Sequence, residues 1–310
     1  MKRDILKSWN ESAAKENIID FVNSVTDKDS PHYVKPNHRI VTFDNDGTLW
    51  SEKPFYFQFQ FAVDRIKEMS PAHPEWKDDP LFRAALDQDL KALLGFGMKG
   101  ILKLVMVSHA GITTDEFDKT VKKWINSARH PEKGRLYKEL IFQPMLELIS
   151  YLHENDFLVY IVSGGGIEFM RSWSEEVYGI PPERIIGSSI KVNFEMSEKG
   201  PVLIRLPEVN FIDDKDGKPV GINQFIGKKP VMAVGNSDGD LQMMQWTDSG
   251  HGKRLMVYLH HTDGEREWAY DKDSPVGKLD KGLSEAAERN WTVIDMKNDW
   301  KVIYPFELNK

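Results

Sequence analysis

Asp44 and Asp46 stand two residues apart in VTFDNDGTLW, directly after the apolar run IVTF and directly before Gly47. Side chains of an extended chain alternate, so both carboxylates point to one side, where a buried strand ends. Two like charges there repel unless something uses them. With a divalent cation to neutralise the pair, one carboxylate can serve as nucleophile while the other moves protons. Gly47 permits a sharp exit from the strand, and Thr48 offers a hydroxyl to a ligand oxygen. The competing reading is a solvated turn, for which D-x-D-G is a good sequence.

Three further stretches fit the same chemistry. In YIVSGGG an apolar run again ends in small residues: Ser163 supplies a hydroxyl, and Gly164 to Gly166 let backbone N–H groups approach an anion near a helix start. In DGKPVGINQFIG, Lys218 directly precedes a helix expected to open at Pro219, so its ammonium can reach a phosphate held near the strand ends. Lys228 and Lys229 precede the strand PVMAVG and belong at its opposite end. In VMAVGNSDGDLQMM, Asn236, Asp238 and Asp240 are oxygen donors suited to Mg2+, a hard cation. Each stretch has a plain structural reading by itself: a flexible turn, a surface lysine, an acidic loop capping the next helix. Acid pair, hydroxyl, lysine and acidic loop in this chain order, three of them at strand ends, point instead to one site.

The elements that must position these residues alternate. SWNESAAKENIIDFVNSV reads as a capped amphipathic helix with Ala13, Ile18, Phe21 and Val22 on one side, and HRIVTF as a short buried strand. From residue 51 to 140 the texture is helical. SEKPFYFQFQFAVDRIKEM keeps helical spacing at Phe55, Phe59, Ala62, Ile66 and Met69, with Pro54 in its first turn. TTDEFDKTVKKWI opens with capping-box spacing between Thr113 and Glu116. Beyond it come the helix PMLELISYLHEN, the strand FLVYIVS, the helix IEFMRSWSEEVYG and the strand RIIGSS. IKVNFE and PVLIRLPEVNF form a hairpin; then follow helix PVGINQFIG, strand PVMAVG, helix LQMMQW, strand RLMVYLHH, helix LSEAAERN and strand WTVIDM. Strands alternating with helices predict an α/β fold, a doubly wound parallel sheet. Its core takes residues 1–50 and 141–310, and a helical cap, 51–140, is inserted where such sheets hold ligands.

Other patterns carry less. GFGMKG (95–100) has the dinucleotide spacing but follows a helical stretch, so it reads as a joint within the insert. FDNDGT, DDKDGK and NSDGDL fail the calcium-loop test, because no Asp stands five residues before the glycine and no Glu six after it. HHTDGEREWAYD, with His260, His261, Asp263, Glu265 and Glu267, reads as a solvated loop rather than a second metal site. The net charge of −7 argues against a nucleic-acid surface, and the lack of cysteine excludes disulfides and thiolate chemistry. No stretch approaches a transmembrane length, so no membrane partner is expected and the chain reads as soluble: cytoplasmic, or periplasmic if a leader precedes it. Oligomeric state is not legible in these residues.

The motif order resembles that of the haloacid dehalogenase-like superfamily, closest to its phosphoserine phosphatase-type branch with a helical cap. DNDGT resembles the first motif, IVS the second, Lys218 the third and GNSDGD the fourth. The resemblance implies a Rossmann-like core and an Mg2+-dependent phosphatase acting on a small phosphorylated metabolite. Asp44 would attack phosphorus to form an aspartyl-phosphate; Asp46 would protonate the leaving oxygen and then activate water. Ser163, Gly164, Thr48 and Lys218 would hold the phosphoryl group. Mg2+ would sit among Asp44, the carbonyl of Asp46 and the fourth motif, where Asn236 replaces the customary acid, Asp240 matches the second acid and Asp238 is an additional carboxylate. The presence of Asp46 speaks against dehalogenation and phosphonate cleavage. Phosphoryl transfer or mutase activity is the alternative, and a non-catalytic phospholigand-binding member the next. Glu52 falls near the substrate-binding acid of phosphoserine phosphatases. Arg83, Arg129 and His130 are candidates for the substrate's far end, and the run Phe55, Tyr56, Phe57, Phe59, Phe61 reads as the cap's own core. The cap is expected to close about hinges at 51–53 and near Pro144.

Overall fold

The protein is described by a computed structural model over residues 5–308; the basic opening at residues 1–4 lies outside the described residues. A seven-stranded sheet forms the centre, built from β1 (Ile40–Phe43), β2 (Leu158–Gly166), β3 (Ile185–Ser197), β4 (Gly200–Phe211), β5 (Met232–Gly235), β6 (Leu255–His260) and β7 (Thr292–Asp295). Their order is β4-β3-β2-β1-β5-β6-β7, and every neighbouring pair is parallel except the β3–β4 hairpin. The chain winds outward from β1 in both directions, the topology that opens a crevice at the carboxyl end of the central strand. Phe43 lies in register with Ile161 on one side and Val234 on the other. That register brings Asp44, Ser163 and Asn236 to one edge.

The central strands β1 and β5 are buried along their whole length because helices cover both faces there, whereas most of the β3–β4 hairpin is exposed. The helix Ala13–Thr26 is capped by Ser12 and buries Ile18, Phe21, Val22 and Val25; Ala14 rather than Ala13 faces inward, which places the stripe one position from its expected start. RIIGSS and IKVNFE form one continuous strand, since pairing to β4 carries the extended chain through Ser189. IEFMRSWSEEVYG breaks into two short helices, Ile167–Arg171 and Ser174–Tyr178, around the buried Trp173, whose backbone leaves helical geometry. No helix among the described residues is long and apolar enough to cross a membrane.

Between β1 and β2 lie the helices Phe57–Met69, Pro80–Leu86, Leu90–Gly95, Gly97–His109 and Thr114–Ile125. The first opens at Phe57, not in a turn containing Pro54, which sits in the preceding loop after a cis peptide bond. The capping box of Thr113 and Glu116 is formed in full. GFGMKG joins two helices, with Gly97 at φ +60. The aromatic run divides among three environments. Phe55 and Phe59 pack with Val63, Trp76, Phe82 and Val276 in a separate cluster; Phe57 and Phe61 join the main core. There Phe57 meets Trp50 with ring centres 4.8 Å apart, and Phe61 meets Phe169 at 5.4 Å. Tyr56 and Phe59 face the crevice. Residues 111–113 also pair with β4, through Gly111 N–H to the Arg205 carbonyl at 2.8 Å and Arg205 N–H to that of Ile112 at 3.0 Å. The segment 51–140 is therefore tied to the sheet through β4 as well as through the two chain crossings expected as hinges.

Candidate active site

Lys218 is the centre of the constellation. It lies in the first turn of the helix Gly217–Phe225, which opens two residues earlier than Pro219 suggests. Its buried Nζ donates to Asp44 Oδ1 at 2.6 Å, to Asp240 Oδ1 at 2.6 Å and to the Val162 carbonyl at 2.8 Å. Burial works against its charge, but Asp240 and Asp44 outweigh it and hold the ammonium above the ordinary lysine range. An ammonium with three oxygens at that distance has no hydrogen left to give, so it locks the ends of β1, β2 and the loop after β5 together.

The acid pair faces this ammonium from one side of the crevice. Burial, with Asp240 next, pushes the Asp44 carboxyl well above the usual range, against the pull of Lys218. Asp46 accepts from the Trp50 indole at 2.8 Å, and burial pushes its carboxyl up to about 6 in spite of that bond and of Lys218. Gly47 has φ +73, and a Cβ on it would lie 2.1 Å from Asn236 Nδ2 and 2.3 Å from Glu52 Oε1, so no larger residue fits the turn.

The remaining expected residues divide. Thr48 is fully buried beneath the pair and does not line the crevice; its hydroxyl donates to Asn236 Oδ1 at 3.1 Å, so it orients that amide rather than meeting a ligand. Ser163 and Gly164 line the crevice floor. Of the neighbouring N–H groups, Gly165 donates to Ser163 Oγ at 3.1 Å and Gly166 to Gln58 Oε1 at 2.5 Å, so two of the three glycines expected to meet an anion are engaged within the protein. Asp240 reaches the site with both oxygens occupied, Oδ1 by Lys218 and Oδ2 by the N–H groups of Asn236 and Ser237 at 3.0 Å. Asp238 is turned away: its Oδ1 accepts the N–H groups of Asp280 and Gly282 at 3.0 and 2.9 Å, tying down the start of the helix Lys281–Arg289. Glu52 is buried yet lines the crevice with the acid pair, and burial raises its carboxyl well above the usual range.

Arg83 and Arg129 are exposed, His130 donates to the Lys53 carbonyl at 2.7 Å, and none of the three lines the crevice. The stretch after β6 is not a solvated loop. His261, Asp263 and Glu267 are buried, and His261 Nε2 donates to the Gly47 carbonyl at 2.7 Å with Nδ1 at 3.0 Å from Glu267, a brace on the turn after β1. Asp213 and Asp214 are further acids of the site that no motif in the sequence singles out. Both stand in DDKDGK, whose spacing fails as a calcium loop; Asp214 lines the crevice, and burial raises both carboxyls, that of Asp213 to about 8.

Asp44, Asp46 and Asp240 thus crowd about one ammonium, with the Glu52 carboxyl close to Asp44 and Asp46, a concentration of acids that a divalent cation would relieve. The donors are all oxygen, which suits a hard cation. Among the described residues no three acid or histidine side chains converge as a cage, so such an ion would rely on amide and main-chain oxygens as well.

The sequence model of the haloacid dehalogenase-like hydrolases matches residues 41–245, a span holding all four stretches. The chain belongs to this family. As a haloacid dehalogenase-like hydrolase it is an enzyme with an α/β core, and the four stretches meet at the crevice where that core ends. No curated protein matches the sequence. Among solved structures, a conserved protein of unknown function from Anaerococcus prevotii DSM 20548 superposes with a TM-score of 0.58 at 15% identity, covering 95% of this chain and 94% of that one. A protein of unknown function from Bordetella pertussis Tohama I gives 0.52 at 15% identity, covering 84% and 99%. Both likenesses are of fold.

Proposed function

We propose that this haloacid dehalogenase-like hydrolase is an Mg2+-dependent phosphatase that hydrolyses a small phosphomonoester through a phosphorylated Asp44. One observation carries the reading: Asp44 and Asp46 share a crevice floor with Ser163, while Lys218 binds only one oxygen of Asp44. The other oxygen, Oδ2, has only the long 3.4 Å contact from Thr48, so it is the one positioned to attack. The Asp44 Oδ2–phosphorus bond forms as the ester oxygen leaves, and Asp46 gives that oxygen a proton. The same carboxylate then takes a proton from water as the water oxygen attacks phosphorus, and Asp44 and inorganic phosphate are released. A carboxyl held at about 6 suits both duties near neutral pH. Ser163 Oγ and the Gly164 N–H hold phosphoryl oxygens, and the Lys218 charge opposes theirs.

Asp44, the Asp46 carbonyl and Asn236 Oδ1 would hold Mg2+, with Thr48 and Glu52 orienting the amide. When bound, the cation offsets the acid cluster and the charge of the entering phosphate. Asp240 acts through Lys218, since its oxygens are occupied. The 51–140 insert serves as the cap.

Hydrolysis of p-nitrophenyl phosphate with Mg2+, with EDTA and in Asp44→Asn tests the reading. Turnover that needs the metal and vanishes in the variant is the expected result. Turnover that survives Asp44→Asn would remove Asp44 as nucleophile.

A further inference from the structure

Above its charged floor the crevice, about 280 Å³ in volume, has apolar walls. One face of the helix Gly97–His109 supplies Ile101, Val105 and Met106 at turn-to-turn spacing, and Phe59 stands beside them. Ile190 and Val209 of the β3–β4 hairpin face the crevice as well. The three aliphatic side chains on the helix are only half-buried, and Val209 is 41% exposed, so this apolar surface is open to the crevice rather than packed away.

Of the charged groups that line the crevice above the acid pair, Arg205 and Glu168 are paired with each other, and Asp214 lies beside Gly164, near the floor. Arg205 also donates through Nε to the His109 carbonyl at 2.8 Å and lies 3.8 Å over the Phe117 ring. His109 contacts Ser108 through Nδ1 at 2.7 Å and Gln58 through Nε2 at 3.3 Å, and burial together with Arg205 holds it neutral. Gln58, Ser188 and Ser189 also line the crevice, but against Ile101, Val105, Met106, Ile190 and Val209 a substrate ammonium or carboxylate would meet aliphatic carbon and lose its water without replacement. A hydrocarbon would gain by leaving water.

On the reading that this crevice is a phosphatase site, we propose that its substrate is an alkyl or aryl phosphomonoester, with an uncharged hydrocarbon leaving group, rather than a phosphorylated amino acid or sugar. The helix 97–109 and the hairpin grip that group while Asp44 and Asp46 address the phosphorus and the ester oxygen.

The test is kcat/KM with Mg2+ across methyl, propyl, hexyl and octyl phosphate, beside glycerol 3-phosphate, O-phosphoserine and acetyl phosphate. The alkyl esters share leaving-group chemistry, so the trend reports the walls alone; acetyl phosphate reports the chemistry with little demand on them. Efficiency is expected to rise about fourfold per methylene until the crevice is filled, which puts hexyl phosphate on the order of 100-fold above glycerol 3-phosphate. Met106→Asn is expected to lower the hexyl-to-methyl ratio. A flat series, or a preference for phosphoserine or glycerol 3-phosphate while acetyl phosphate is hydrolysed, overturns the substrate class and leaves the phosphatase chemistry standing. No hydrolysis of any of these phosphates, acetyl phosphate included, removes the phosphatase reading and this inference with it.

Discussion

Asn236 Nδ2 donates to Glu52 Oε1 at 2.8 Å, and the Tyr270 hydroxyl donates to the same oxygen at 2.8 Å. The contact joins the loops after β1 and β5, and it gives a physical reason for an amide where the family's motif commonly has an acid. A carboxylate at 236 would face Glu52 with no hydrogen between them, whereas the amide satisfies it and still presents Oδ1 to Thr48. The acid absent at position 236 has a carboxyl next door, at Glu52.

Asn236→Asp therefore sets two buried carboxylates against each other. In EDTA the variant is expected to lose on the order of 3 kcal/mol, the scale of an uncompensated buried charge. Added Mg2+ should restore much of its melting temperature. Calorimetry in both conditions checks this; a variant as stable as the parent in EDTA would mean that the two side chains do not face each other.

Lys218→Met leaves Asp44 and Asp240 buried without their shared ammonium. A loss of roughly 3–5 kcal/mol in urea unfolding is expected, with hydrolysis lowered at least 10²–10³-fold. Lys218→Met with Asp240→Asn should regain stability but not turnover. Stability and turnover returning together would assign Lys218 a purely structural part.

Asp46→Asn is expected to lower turnover by about 10²–10⁴, the usual span for a lost proton-transfer group. The loss should be greatest for alkyl esters, whose leaving oxygen needs a proton, and least for p-nitrophenyl phosphate, whose oxygen leaves readily as an anion. Equal losses on both would place Asp46 outside leaving-group protonation.

Asp213 is fully buried, and burial pushes its carboxyl up to about 8. The unfolded chain releases this proton near pH 4, while the folded chain keeps it until about pH 8. Folding thus binds a proton across that window, and stability falls as pH rises through it, by up to about 1.4 kcal/mol per pH unit. Asp213→Asn removes the loss. Its melting temperature should exceed the parent's at pH 8 and converge with it toward pH 4; a gap that does not change with pH would exclude this titration as the cause.

The alternation of strands and helices, the capping box at Thr113 and the four chemical stretches were all legible because each depends on residues near one another in the chain. Errors in them were local as well. The helices expected to open at Pro54 and Pro219 open instead at Phe57 and Gly217, since propensity is weakest at helix starts and the turn geometry of neighbouring loops prevails. Trp173 broke a helix that its sequence would have continued, because burying the indole took precedence.

What the sequence determined by itself, then, was which side chains stand at strand ends and what chemistry those types can perform. The tertiary structure decided which of their oxygens remain available. Thr48, Asp238 and Asp240 have the composition of ligands, yet each is engaged by a partner remote in sequence: Asn236, the N–H groups at 280 and 282, and Lys218. The brace of His261 on Gly47 and the apolar crevice walls arise in the same way, from strand register and from a hairpin that meets the insert. Hydrogen bonds and burial are satisfied in space rather than along the chain, so a residue's type states what it can donate or accept, and only the fold states to whom.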